Sequence, residues 1–233
     1  ETGIITNANS IWLNEKPFKK DLELALNRKV RLMNDANCFT LSESVDGAGK
    51  DFKSIFGIII GTGFGGGLSY NKSIIEGSNQ IAGDWGHQPL PYPTKEEQET
   101  KISCPSSNCG RPLCAEQFMS GIGFKDRFNE KYDTNLTSEE IVKLDLGNDP
   151  RANQELTLYE DRMARLMAVM IGIFDPDAII LGGGMSNIDR FYKNIPSLIP
   201  KYTFSNKVET KVLKNLHGDS SGVRGAAWLW NNE

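Results

Sequence analysis

The stretch from Gly57 to Gly67 constrains this chain most. Gly57-Ile58-Ile59-Ile60 is a short apolar run that reads as a buried strand, and it empties into Gly61-Thr62-Gly63-Phe64-Gly65-Gly66-Gly67. Five glycines in seven residues let the backbone turn tightly and bring its N–H groups close to a ligand. Leu68-Ser69-Tyr70, followed by Asn71-Lys72, predicts the second strand of a hairpin. Ala178-Ile179-Ile180-Leu181 repeats the pattern and runs into Gly182-Gly183-Gly184-Met185-Ser186, ahead of a helix. One glycine turn is a weak signal; two, each behind an Ile-rich strand, point to an α/β sheet with an anion bound at its strand ends. Neither is a Walker A loop, because no Gly-Lys-Ser/Thr follows.

The rest of the pattern supplies helices and a few strands. Phe18 to Leu26 carries Leu22, Ala25 and Leu26 at helical spacing. Val30-Arg31-Leu32-Met33 predicts a short strand that runs into Asn34-Asp35-Ala36-Asn37-Cys38 and a helix to about Val45. Asp46-Gly47-Ala48-Gly49-Lys50 is a polar break and a lobe boundary. Ala115 to Tyr132 predicts a helix, Thr137-Ser138-Glu139-Glu140 opens a short one with acidic residues in its first turn, and Asp149-Pro150 opens a long one. In that helix Leu156, Met163, Leu166, Met167 and Met170 recur at three and four, a core stripe rather than a cofactor box. Lys207 to Leu213 predicts a strand, and Gly218 to Trp230 a small-residue helix suited to close packing. Near the start, Asn7 and Asn9 suit a loop and read as turn formers with no ligand.

Three groups of residues carry chemistry. Asn34-Asp35 puts a carboxylate where a strand yields to a helix, the edge at which open α/β sheets keep their sites; on local pattern alone, a helix cap is the simpler reading. Gly83-Asp84-Trp85-Gly86-His87 sets a carboxylate beside a histidine. Cys104, Cys109 and Cys114 fall within eleven of the 233 residues. The chain has four cysteines in all, and this bunching is unlike a disulfide framework. With His87 they read as a metal site in a reduced, cytoplasmic protein. The net charge of -4 argues against a nucleic-acid surface, and no run approaches the ~18 apolar residues of a membrane span. A phosphate-suited turn and a carboxylate placed to deprotonate a hydroxyl together predict phosphoryl transfer from ATP to an alcohol.

These motifs resemble the ROK family of bacterial sugar kinases and repressors. The matching residues are Asn34-Asp35-Ala36-Asn37, Gly61 to Gly67, Gly83 to His87, Cys109-Gly110 to Cys114-Ala115-Glu116, Ser120-Gly121, Asp175-Pro176 to Gly184, and Arg224-Gly225-Ala226-Ala227, in family order across nearly the whole chain. Val30 to Phe39 and His217-Gly218-Asp219 to Arg224 are most similar to the N-acetylglucosamine-phosphorylating branch.

The resemblance implies an actin-like ATPase fold of two α/β lobes, ribonuclease H-like, with an incomplete small lobe. Its division is residues 1–50 as the remnant of the N-terminal lobe, 51–217 as the large lobe with a zinc loop, and 218–233 as a returning helix. It implies ATP- and Mg²⁺-dependent phosphorylation of an amino sugar, N-acetyl-D-glucosamine, at O6. Asp35 would be the base; Asn34, Asp84, His87 and Glu116 would hold sugar hydroxyls. Gly61, Thr62 and Gly63 would line the ATP phosphates, with Gly183 and Gly184 near the nucleotide. His87, Cys104, Cys109 and Cys114 would bind structural Zn²⁺, its histidine bracing the sugar-facing loop. A homodimer is left open. The alternatives are the sugar-sensing part of a ROK repressor and a ROK hexokinase for glucose or fructose.

Three departures bear on these expectations. Asp84 stands where most family kinases have Glu, one methylene longer, which implies a looser or water-mediated contact. The family spacing C-x-C-G-x-x-G-C is stretched here, with four residues between Cys104 and Cys109 and Leu113 in place of the second glycine, so Cys104 is the ligand in question. The family's Asp-x-Gly-Gly-Thr phosphate loop belongs upstream of Glu1, so the expectation is a piece of a longer protein, or one that does not run the full reaction unaided.

Overall fold

In the computed structural model, residues 4–5, 11–105 and 109–230 are described; Asn7 and Asn9 lie outside them. Five strands make one mixed sheet: β1 (Ser54–Ile60), β2 (Phe64–Tyr70), β3 (Ser73–Ile74), β4 (Ala178–Gly182) and β5 (Lys211–Lys214), in the order β3-β2-β1-β4-β5. β1 pairs antiparallel with β2 and parallel with β4, and β4 pairs parallel with β5. β1 is central and buried on both faces, which is why its Ile run is continuous rather than alternating.

Side-chain alternation divides the core in two. Phe56, Ile58, Ile60, Ile179 and Leu181 face a large cluster. It is closed by α4 (Ala115–Met119), α5 (Gly121–Tyr132), α6 (Ser138–Leu146), α7 (Pro150–Phe174) and α8 (Arg190–Leu198). Ile55 and Ile180 face the other way, onto Phe39 of α2 (Asp35–Val45). There α9 (Ser221–Trp228) crosses α2 so closely that a Cβ on Gly225 would lie 1.7 Å from the Cys38 carbonyl oxygen. The small-residue pattern of the last helix is thus an instruction to pack backbone on backbone. The polar break at Asp46 to Lys50 is the turn that carries α2 into β1.

Local signals place the helix ends. Asp149 accepts from the Arg151 and Ala152 N–H groups, Pro150 follows it, and α7 stops 25 residues later at Asp175 in a left-handed conformation. The helix expected over Ala115 to Tyr132 is two helices, broken at Ser120, which ends α4 and caps α5. Three further expectations change. Val30 to Met33 forms no strand, because among the described residues no segment pairs with it; α1 (Phe18–Leu26), before it, buries no side chain. The strand expected from Lys207 begins only at Lys211, where pairing with β4 starts. Gly65, Gly66 and Gly67 are not part of a ligand loop but lie inside β2. At two of them the lack of a side chain serves packing: a Cβ on Gly66 would sit 2.7 Å from the Phe56 ring, and one on Gly67 2.6 Å from Thr40 Oγ1.

Candidate active site

Since β1 and β4 run parallel as neighbours, their two glycine turns emerge at one sheet edge. Gly61-Thr62-Gly63 is the whole of the first turn. It is tied down where the Gly121 N–H, at the start of α5, donates to the Gly61 carbonyl at 2.8 Å. In the second turn Gly183 has φ +79, and a Cβ there would lie 2.5 Å from the Ile60 carbonyl oxygen, so only glycine passes beneath the end of β1. Gly61, Thr62 and Gly184 line a cavity of about 720 Å³. Gly63 faces away from it, with Glu116 Oε2 3.0 Å from where a Cβ would be, and Gly183 shapes the turn beneath Gly184. The far wall comes from α5 and α6, including Lys125, Ser138 and Lys143, none of which the sequence singled out as site residues. Their one local signal is the capping box of Thr137 and Glu140, which starts α6 at the cavity mouth.

The expected sugar-binding residues gather around the first half of β2. Asn34 caps α2, its side-chain oxygen accepting from the Ala36 and Asn37 N–H groups at 2.9 and 3.3 Å. Asp35 is exposed in the first turn, one carboxylate oxygen accepting from the Ala36 N–H at 2.8 Å. The cap and an available carboxylate therefore coexist. This end of α2 rests on β2: a Cβ on Gly65 would lie 3.7 Å from Ala36 Cβ, and one on Gly67 2.9 Å from the Ala36 carbonyl. The Gly83 to His87 loop lies on the same strand. Gly83, at φ +88, abuts Gly66 and Gly67, and a Cβ on Gly86 would overlap the Phe64 carbonyl oxygen at 1.8 Å. Trp85 anchors the loop, edge-on to Phe56 at 4.7 Å and tilted on Phe64 at 5.0 Å. Asp84 is thereby left exposed beside the anchor. Glu116, buried at the start of α4, accepts the Phe64 N–H at 3.1 Å.

Beneath that loop, His87, Cys104, Cys109 and Cys114 bring their ligand atoms within 4.8 Å of one another. Cys104 Sγ is 3.4 Å from Cys114 Sγ, and Cys114 Sγ is 3.6 Å from His87 Nδ1. A tetrahedral zinc sets its donors roughly 3.5–3.8 Å apart, so the set fits such an ion. The stretched spacing does not expel Cys104. Leu113, which stands in place of the family's glycine, takes the left-handed conformation a glycine would, at φ 55, and its carbonyl accepts from the Leu90 N–H at 2.7 Å. His87 turns Nδ1 towards the sulfurs, leaving Nε2 for another partner. Cys104 Sγ also lies 3.6 Å from Glu116 Oε1, which joins the His-Cys cluster to that carboxylate. Cys38 is apart from the cluster. Burial, then the Asp35 charge, push its thiol up to about 11, so it stays protonated and packs as a small apolar residue.

Against known proteins, the model of the ROK family matches residues 1–233. This chain belongs to the ROK family. Its relatives include the N-acetyl-D-glucosamine kinase of Vibrio cholerae, 35% identical over 229 residues, 98% of this chain and 76% of that protein. The enzyme of the same name from Vibrio vulnificus is 38% identical over 218 residues, 92% of this chain and 71% of that protein. Among solved structures, a ROK family glucokinase from Streptomyces griseus, in complex with glucose and AMPPNP, superposes with a TM-score of 0.82. It is 22% identical, and the match covers all of this chain and 77% of that one. A ROK hexokinase from Thermus thermophilus gives 0.78 at 24% identity, over 92% of this chain and 69% of that one. The α/β architecture is therefore the actin-like ATPase fold of ROK sugar kinases, as the motifs implied. No helix among the described residues is long and apolar enough to cross a membrane.

Proposed function

We propose that this ROK sugar kinase transfers a phosphoryl group from ATP to the 6-hydroxyl of N-acetyl-D-glucosamine. The observation that carries the reading is the placement of Asp35. An exposed carboxylate at a helix N-terminus sits over β2, whose preceding turn, Gly61-Thr62-Gly63, opens onto a cavity of about 720 Å³. The sugar class follows the identity of 35% and 38% to N-acetyl-D-glucosamine kinases.

In this reading Asp35 accepts the proton of the 6-hydroxyl as the new oxygen–phosphorus bond forms and the bond from that phosphorus to the bridging oxygen of ADP breaks. Asn34, Asp84, His87 through Nε2, and Glu116 hold the ring hydroxyls. Gly61, Thr62 and Gly63 line the ATP phosphates, with the Gly61 N–H spent within the turn on the Gly63 carbonyl at 3.0 Å, and Gly183 and Gly184 lie on the nucleotide side. Mg²⁺ carried by the nucleotide would supply charge neutralisation on the transferring phosphate. His87, Cys104, Cys109 and Cys114 would hold zinc, which would give the His87 loop a fixed floor. The protein acts in the cytoplasm, where thiols of this kind stay reduced.

The test is Asp35→Asn in the intact protein. The amide still bonds a hydroxyl and caps a helix as well as Asp does, but it takes no proton, so kcat should fall by about 10²-fold or more with sugar affinity little changed. Near-native turnover would refute the base assignment. kcat/KM should favour N-acetylglucosamine over glucose, because a site built around the acetamido group leaves polar groups unpaired without it. A preference for glucose or fructose would move the substrate to another hexose, and a protein that binds sugar but never phosphorylates it would be a sensor.

A further inference from the structure

Glu43 is a fully buried carboxylate, about two turns beyond Asp35 on α2. Both its oxygens are occupied by one distant loop and its own turn. Oε1 accepts from Ser221 Oγ at 2.7 Å and the His217 N–H at 3.3 Å; Oε2 accepts from the Leu216 N–H at 3.0 Å and the Ala48 N–H at 2.9 Å. The loop it grips, Asn215 to Ser221, follows β5 directly. Asn215 spends its whole side chain there. Its amide donates to the Leu181 carbonyl at 2.9 Å and to Ser186 Oγ at 3.1 Å, and its oxygen accepts from the Gly218 N–H at 2.7 Å. Ser186 Oγ in turn donates to the Gly183 carbonyl at 2.7 Å. Two sets of hydrogen bonds, joined through the backbone of the 215–221 loop, therefore connect the helix that begins with Asp35 to the Gly183-Gly184 turn on the cavity.

We infer that Glu43 and Asn215 are positioning residues that couple the sugar-side helix α2 to the nucleotide-side turn at Gly183-Gly184, so that each ligand tightens the binding of the other. The inference rests on the kinase reading above. A stiff helix about 16 Å long transmits any tilt of its first turn to Glu43. Because Glu43 is buried with four donors on its two oxygens, it cannot let go of the 215–221 loop without leaving buried polar groups unpaired. Asn215 is equally committed, so a shift of the loop reaches Ser186 and Gly183 rather than dissipating. The Phe39 ring, 2.4 Å from where a Cβ of Gly182 would be, adds apolar contact along the same line. His217 Nε2, 3.1 Å from Asp46, and the Arg224–Asp46 ion pair hold the loop and α9 from outside.

The test measures linkage rather than turnover. In the intact protein, the dissociation constant of AMPPNP with Mg²⁺ is measured by calorimetry, with and without saturating N-acetylglucosamine. The native protein should show a tightening of about 5-fold or more, within the usual range for coupled sites. Glu43→Gln and Asn215→Ala should each reduce it to within about 2-fold of none. Each ligand alone should still bind nearly as in the native protein, a split that general loss of stability does not produce. The double variant should lose no more coupling than either single one, because the two residues lie on one path. Asn215→Ser, smaller in its perturbation, gives the same readout if Asn215→Ala folds poorly. Full coupling retained in the variants overturns the relay. So does native binding of both ligands without interdependence, and that result leaves the kinase reading standing. Failure of the native protein to bind either ligand overturns both.

Discussion

Glu97→Gln should destabilise this protein by about 3 kcal/mol at neutral pH, without touching a residue assigned to the reaction. Glu97 belongs to the single helical turn Lys95–Gln98, after the loop that leaves His87, and its side chain is 3% exposed. Four N–H groups converge on its carboxylate: Arg162 Nε and Arg165 Nη2 on Oε1, both at 2.7 Å, and Arg165 Nη1 at 3.0 Å and the Thr94 N–H at 2.8 Å on Oε2. An amide cannot serve this ring, because whichever way it is turned its NH₂ meets two donors. The variant also leaves two buried guanidiniums short of their anion, a class of change that costs about 3–5 kcal/mol. Arg165 keeps Asp161 at 3.2 Å and the Pro91 and Tyr92 carbonyls, which places the cost at the lower end. The titration of the group agrees. Burial pushes the Glu97 carboxyl up, but hydrogen bonds from Arg165, Thr94 and Arg162 outweigh it and lower it from 4.5 to about 2. At about 1.4 kcal/mol per pH unit that displacement is again ~3 kcal/mol. Because the folded value lies below the unfolded one, the contribution is complete above about pH 4.5 and drains away as pH falls towards about 2. Urea unfolding of both proteins between pH 7 and pH 3 measures the difference. It should be largest at neutral pH and narrow on acidification. A loss under ~1 kcal/mol, or one that does not vary with pH, would show that the arginines find other partners and that the ring does not hold the loop to α7.

Metal analysis of the purified protein should give about one zinc per chain, and Cys104→Ser should lower both the zinc content and the melting temperature; a stably folded, metal-free protein would overturn the ligand set. Gly225→Ala should destabilise by about 2 kcal/mol or more in denaturant unfolding, because its methyl would strike the Cys38 carbonyl oxygen at 1.7 Å and pry α9 from α2; a neutral effect would mean that this crossing is looser than described.

What lies within a few residues of itself was legible in the sequence. α2 begins at Asp35 with Asn34 as its cap, α7 begins after Asp149-Pro150, and the Ile runs are the central strands, because caps, proline and apolar runs act locally. The motif order carried the family, and the bunching of Cys104, Cys109 and Cys114 carried the cluster with His87. Where a residue's role depends on what the chain brings to it, the sequence was mute or misleading. Val30 to Met33 has strand composition, yet a strand exists only by pairing. Gly65, Gly66 and Gly67 have the look of a ligand loop, yet all three lie in β2, where the Phe56 ring and α2 require Gly66 and Gly67 bare. Leu113 gives no local hint that it bends backwards to keep Cys114 in reach. Lys125, Ser138 and Lys143 wall the cavity only because α5 and α6 dock beside the first turn. Glu43 and Asn215 lie more than 170 residues apart. They share one hydrogen-bonded loop because α9 crosses α2, and no local pattern encodes a contact made by closure of the whole chain.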